Sequence, residues 1–112
     1  MKDCLFCRII RKEIPGDFVD ESEFGVVIRD INPEAPVHLL VLPKRHVASL
    51  AEADDAAEMG DLMLLGTRAA SKEGIVDSGF RTVVNTGRNG GQAVGHLHIH
   101  VMGGRKFIWP PG

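Results

Sequence analysis

The sequence has no tyrosine, one tryptophan and 5% aromatic residues in all. A platform that stacks the bases of a single-stranded nucleic acid needs more aromatic surface than this. A basic excess is also missing: 13 Lys and Arg face 15 Asp and Glu, for a formal net charge of −2. A protein that neutralises many phosphates of a long nucleic acid carries the opposite balance. No apolar run nears the ~20 residues needed to span a bilayer, and the longest, Val37 to Pro43, is interrupted at His38. The opening Met1-Lys2-Asp3-Cys4 lacks the long apolar stretch of a leader peptide. A cytoplasmic location is therefore expected, with both cysteines reduced. What is present is 44% hydrophobic residues in a chain of 112. That is enough for one domain, residues 1–112, with a core that needs no disulfide staples.

The pattern along the chain predicts an α+β fold. Cys4 to Lys12 reads as a short helix closed by Ile14-Pro15-Gly16. A short strand is expected around Phe18, with a polar turn from Asp20 to Glu23. Phe24 to Asp30, Val37 to Leu42 and Phe80 to Asn85 are rich in β-branched and aromatic residues and read as strands. Ser49 to Gly74 reads as one long helix, with acidic residues at its start and Arg68, Lys72 and Gly74 at its end. Within it Leu62-Met63-Leu64-Leu65 sweep most of the circumference, so one side is expected on the sheet and another on a partner. Gly60 and Gly66 interrupt that helix, and close packing is one account of them. Strands in runs around a single long helix predict an antiparallel five-stranded sheet and exclude a doubly wound fold.

Chemistry concentrates in five histidines and two cysteines. His96, His98 and His100 alternate with Leu97, Ile99 and Val101, so on a strand over His96 to Met102 the three rings share one face. Three aligned imidazoles are poor core material, because each needs a polar partner when buried. Such a row points to metal or phosphate chemistry. The Gly-rich loop Thr86 to Gly95 precedes it, and its backbone N–H groups are free to turn toward an anion. A glycine loop alone is more often a flexible connection; beside a histidine row it favours phosphate. Cys4 and Cys7 form a Cys-x-x-Cys pair with three readings: half of a zinc site, a redox pair, or two free thiols.

The string His96-Leu97-His98-Ile99-His100-Val101 resembles the triad of the histidine triad (HIT) superfamily. Further segments resemble its HINT branch, the histidine-triad nucleotide-binding proteins: Arg11-Lys12-Glu13-Ile14-Pro15, Asp30 to His38, Pro43-Lys44-Arg45-His46, Val83-Val84-Asn85, Gly90-Gly91-Gln92, and Gly103-Gly104-Arg105 through Trp109-Pro110-Pro111-Gly112. This resemblance, which spans nearly the whole chain, implies a homodimer whose sheets join into one, and a purine nucleoside phosphoramidase acting on AMP or GMP conjugates. It implies that His98 is the nucleophile, that His100 contacts the phosphate and that His38 belongs to the same cluster. It further implies that Asp30 binds the ribose, that Asn85 sits beside the phosphate, and that Gly91, Gln92 and Ala93 lie in the phosphate loop. Some relatives hold structural zinc at the positions of Cys4, Cys7, His46 and His96. The tail with Trp109 is expected to reach the partner's pocket.

Three positions depart from the branch. Ala93 stands where a hydroxyl residue is usual and helps protonate the leaving group; Ile28 and Gly95 stand where aromatic residues are usual. The expected reaction is attack by neutral His98 on the α-phosphorus, giving a nucleotidyl-histidine that water hydrolyses, with a protonated His100 and loop N–H groups stabilising the charge. Two other readings stand beside it. A dinucleoside polyphosphate hydrolase is disfavoured by the Trp109-Pro110-Pro111-Gly112 ending, and a nucleotide-binding scaffold with weak activity is kept in play by Ala93.

Overall fold

The structure, a computed structural model, describes residues 3–112; the reading of the opening Met1-Lys2 lies outside them. Its elements are α1 (Leu5–Ile10), β1 (Phe18–Glu21), β2 (Gly25–Arg29), β3 (Val37–Pro43), α2 (Ala56–Lys72), β4 (Phe80–Val83) and β5 (Ile99–Gly103). The strands make one antiparallel sheet in the order β1-β2-β3-β5-β4. The expected α+β architecture is thus found, with the last strand inserted between β3 and β4. No helix of the described residues is long and apolar enough to cross a membrane.

β3 is apolar along nearly all its length because it is covered on both faces. Leu39 and Val41 join Val27, Ile99, Val101 and the buried stripe of α2 (Leu62, Leu65, Ala69, Ala70) in one cluster. Leu40 and Leu42 join Val26, Ile28, Phe6 and Ile9 of α1 in a second cluster. The pairs His38↔Met102 and Leu40↔His100 across β3 and β5 put His38 and His100 on this second face. The pleat therefore delivers two histidines from neighbouring strands to the side that α1 covers.

Three expectations need correction. The long helix does not start at Ser49: a 3₁₀ turn, Leu50–Glu52, comes first, and α2 begins after Asp55. The Asp55 carboxylate accepts the Glu58 N–H at 3.1 Å and caps the helix there. Arg45 draws Asp54 and the buried Glu58 to itself, at 3.2 and 3.0 Å. Asp20 and Glu21 belong to β1 rather than to a turn. The Asp20 carboxylate accepts from Arg68 at 2.8 Å and lies 3.2 Å from Lys72 of α2, and these hydrogen bonds hold it well below the usual carboxylate range. Finally, β4 ends at Val83 and β5 begins at Ile99, so only His100 of the triad lies in a ladder. His96 and His98 belong to an extended segment outside it, tied by the Leu97 N–H to the Val47 carbonyl at 2.7 Å.

On α2, Leu62 and Leu65 are buried, whereas Met63 and Leu64 are 43% and 73% exposed. Gly66 lies on the sheet, where a Cβ would meet Val101 and Val41 side chains at 3.3 and 3.4 Å; Gly60 faces open space. Close packing therefore accounts for Gly66 and not for Gly60. Gly25 is tighter: a Cβ would come within 2.5 Å of Leu62 and 2.9 Å of the Leu42 carbonyl oxygen. Gly25→Ala should lower unfolding stability by about 1–3 kcal/mol through overpacking. Gly60→Ala should raise it by up to about 1 kcal/mol through helix propensity. Urea denaturation of the two variants beside the parent checks both signs.

Candidate functional site

Two groups of side chains meet where α1 crosses the ends of β3 and β5. The first is Cys4, Cys7, His46 and His96, whose donor atoms all lie within 4.8 Å of one another. Cys4 caps α1, with its sulfur 3.4 Å from the Cys7 N–H, so one helical turn brings both thiols to the same end. Cys4 Sγ is 3.3 Å from His96 Nδ1, and Cys7 Sγ is 3.3 Å from His46 Nδ1 and 3.5 Å from His96 Nδ1. His96 Nε2 lies 3.0 Å from the Pro43 carbonyl oxygen. A carbonyl only accepts, so Nε2 carries the proton and donates, and Nδ1 turns a lone pair toward the sulfurs. Burial pulls the fully enclosed His96 down to about 4, which keeps it neutral, and burial together with Cys4 pushes the Cys7 thiol up. Two sulfurs and two imidazole nitrogens fit a closed tetrahedral zinc shell.

The second group is His98, His100, His38 and Asp30. The Glu34 N–H donates to His38 Nδ1 at 2.9 Å. His38 Nε2 therefore holds the proton, and it lies 2.9 Å from His100 Nδ1 and 3.4 Å from Asp30 Oδ2. Accepting at Nδ1, His100 carries its own proton on Nε2. His98 Nδ1 donates to the His96 carbonyl at 2.7 Å, which leaves the lone pair on Nε2. No fully buried side-chain nitrogen or oxygen of the described residues lacks a partner, and the Nε2 atoms of His98 and His100 have none, so neither atom is fully enclosed. The rings are 5.0 Å apart and inclined at 66°. A lone pair on His98 and an N–H donor on His100 thus stand on neighbouring rings, the first fixed directly by the His96 carbonyl and the second through His38, which the Glu34 N–H holds.

Asp30, His38 and His100 also cluster closely enough to hold a metal. Their hydrogen bonds argue against it: metal on His38 Nε2 would put the proton on Nδ1, against the Glu34 N–H. This trio orients a proton, whereas the thiol cluster offers free lone pairs.

The pocket in front of these rings has a volume of about 450 Å³, within the usual range for small-molecule sites. One end is apolar, with Leu5, Phe6, Ile9, Ile14, Ile28 and Leu40; the other holds Asp30, His38, His98, His100 and Ala93. Beyond His38 and His100 lies a second hollow of about 340 Å³ that contains Asn85, Arg81, Arg105 and Phe107. The structure therefore brings Asp30, Ala93 and three histidines together in one pocket and sets Asn85 in the adjoining one. Gln92 faces neither: its amide accepts the Gly87 N–H at 3.0 Å and donates to the Ala48 and Val94 carbonyls at 2.8 and 2.9 Å, bracing the glycine loop. Gly91 makes the turn of that loop with φ +77° and lines neither hollow.

The positive charge expected on His100 is corrected. Burial first, then the neighbouring His98 and His38, pull it down to about 4, so it is neutral at pH 7. It serves as a donor through its Nε2–H without being charged. Sequence reasoning missed the residues that set the ring states, namely Glu34 and Pro43, because they act through backbone atoms that no side-chain pattern reveals. It also missed Phe6, which its place between two cysteines on a helix should have flagged.

A model of the HIT domain matches residues 11–107. An uncharacterised HIT-like protein of Synechococcus elongatus is 50% identical over 99% of this chain and 98% of its own length. Among solved structures, a HIT family hydrolase from Legionella pneumophila superposes with a TM-score of 0.94 at 40% identity, covering 98% of this chain and all of its own (100%). A histidine triad nucleotide-binding protein from Candida albicans does so with a TM-score of 0.83 at 29% identity, covering 96% of this chain and 83% of that one.

In a pH titration followed by ring-nitrogen NMR, His100 should stay neutral down to about 4. Asp30 is the one neighbour that favours its charged form. Asp30→Asn should therefore move the titration lower still. Because folded His100 resists a proton that the unfolded chain accepts at about 6.5, stability should fall as pH drops from about 6.5 toward 4.

Proposed function

This chain belongs to the HIT domain family, and we propose that within it the protein is a purine nucleoside phosphoramidase working through a nucleotide carried on His98. The observation that carries this reading is the pairing of an unprotonated His98 Nε2 with a neighbouring His100 Nε2–H in the lining of a largely apolar pocket. The flat base of a nucleotide suits the wall of Leu5, Phe6, Ile9 and Ile28, and the Asp30 carboxylate at the polar end suits ribose hydroxyls. The name of the Candida albicans neighbour, a nucleotide-binding protein, supports the ligand class, and that of the Legionella pneumophila neighbour, a hydrolase, supports the reaction class.

In the proposed reaction His98 Nε2 attacks the α-phosphorus. The P–Nε2 bond forms, the phosphorus–nitrogen bond to the leaving group breaks, and the departing nitrogen takes up a proton from solvent water. His98 becomes a cationic nucleotidyl-imidazole, whose Nδ1–H keeps its bond to the His96 carbonyl. That short, charge-assisted bond stabilises the cation. His100 Nε2–H donates to a phosphate oxygen. A water then attacks phosphorus, the P–Nε2 bond breaks, AMP and neutral His98 are released, and the surplus proton of the attacking water passes to solvent. Asn85 extends the proposed phosphate surroundings from the adjoining hollow, while Gly91 turns the glycine loop and Gln92 braces it from behind. The protein acts as a homodimer in this reading: exposed Met63 and Leu64 meet a second copy, and the 81%-exposed Trp109 approaches the partner's pocket. It works in the cytoplasm.

Zinc belongs in the cluster of Cys4, Cys7, His46 and His96. With all four positions filled by protein, no place is left for a reacting water, so its contribution is to folding. A chelator should lower the melting temperature more than the initial rate at saturating substrate.

His98→Ala should cost at least ~10³-fold in turnover of adenosine 5′-phosphoramidate, while AMP binding by calorimetry is retained. Native turnover in that variant would end the proposal. Ala93 offers the leaving amine no proton. Ala93→Ser should therefore raise kcat on amine substrates, and an unchanged or lower kcat would place the slow step elsewhere.

A further inference from the structure

The apolar wall of the pocket and the thiol cluster share one short helix and its N-cap: Leu5, Phe6 and Ile9 line the wall, and Cys4 and Cys7 supply the thiols. α1 runs only from Leu5 to Ile10. An isolated helix of that length does not hold together in water, so its position depends on what fastens it. Its first turn is fastened at the sulfurs, Cys4 toward His96 and Cys7 toward both histidines. Between those cysteines sits Phe6, buried, with one edge contact to His96 (5.9 Å, 87°) and another to His98 (5.2 Å, 73°). One ring thus touches a member of the ligand cluster and the histidine at the pocket's polar end, and it lines the pocket itself.

The connection runs through the backbone as well. His96 presents its ring to the sulfurs and its carbonyl to His98 Nδ1, at 2.7 Å. This stretch lies outside the sheet ladder, which starts at Ile99. Whatever fixes the His96 ring therefore fixes the acceptor that orients His98.

We propose that the Cys4-Cys7-His46-His96 cluster is a clip that sets Phe6 and the His96 carbonyl against His98, so that metal affinity and nucleotide affinity rise and fall together. Phe6 acts here as a positioning residue. The inference rests on the nucleotide reading above and goes beyond a purely structural metal. Linkage makes the effect reciprocal: if metal preorganises the pocket, nucleotide must tighten the hold on metal by the same factor.

The test uses the zinc-loaded protein and a chromogenic chelator competing for its zinc, with saturating AMP, with ribose 5-phosphate, or with neither. AMP should strengthen zinc retention by about 5-fold or more, the lower end of usual coupling strengths. Ribose 5-phosphate carries the phosphate without the base and should do much less, which also corrects for zinc held by free phosphate. In Phe6→Ala the AMP effect should shrink to less than about twofold. Phe6→Leu, which keeps the burial and loses the ring, serves if the alanine variant does not fold. AMP that binds, by calorimetry, without changing zinc retention overturns the coupling and leaves the nucleotide reading intact. Full AMP effect in both Phe6 variants removes Phe6 from it. Failure of AMP to bind the loaded parent protein sinks the nucleotide reading, and the coupling with it.

Discussion

The hydrogen bond from His98 Nδ1 to the His96 carbonyl, at 2.7 Å, is the constraint on which the proposed chemistry depends. An imidazole has two nitrogens and one proton at neutral pH, and only the nitrogen without the proton can attack. A backbone carbonyl cannot donate, so it commits Nδ1 to carry the proton and Nε2 to carry the lone pair. The same logic recurs twice nearby. The Pro43 carbonyl sets His96 with its lone pair toward the sulfurs, and the Glu34 N–H sets His38 so that His100 offers a proton. Three histidines in one small domain thereby acquire separate duties from backbone atoms that are already fixed by the fold, and a fourth, His100, takes its own from His38.

The fold supplies those atoms through one topological choice. Inserting β5 beside β3 sets Leu40 opposite His100 and His38 opposite Met102. The ladder stops at Ile99, and the chain just before it is held by the Val47 carbonyl instead. His96 and His98, just outside the ladder, are both buried. α1 then closes over them with an apolar wall, which deprives His100 of the water that would stabilise its charge and pulls it down to about 4.

Much of this was legible in the residues. The β-branched runs located β2 and β3, and the alternation from His96 to Met102 correctly separated Ile99 and Val101 in the core from His100. The resemblance named the four cluster ligands, which the fold brings within 4.8 Å of one another. The start of α2 was misread because Ser49 is a cap, but of the 3₁₀ turn Leu50–Glu52, while Asp55 caps α2 itself. Asp20 looked like a turn residue because its partners, Arg68 and Lys72, lie far along the chain. His100 was granted a charge because burial is invisible before the helix is laid over it. For Asp20 and His100 a long-range contact decided between local options of nearly equal merit.

The most direct test is rapid-quench mass spectrometry of the protein mixed with adenosine 5′-phosphoramidate, followed by mapping of any modified residue and nitrogen. A transient adenylyl group on Nε2 of His98, absent from His98→Ala, is the predicted result. Turnover with no adduct, or with the adduct on Nδ1 or on another histidine, would contradict the assignment of lone pair and nucleophile.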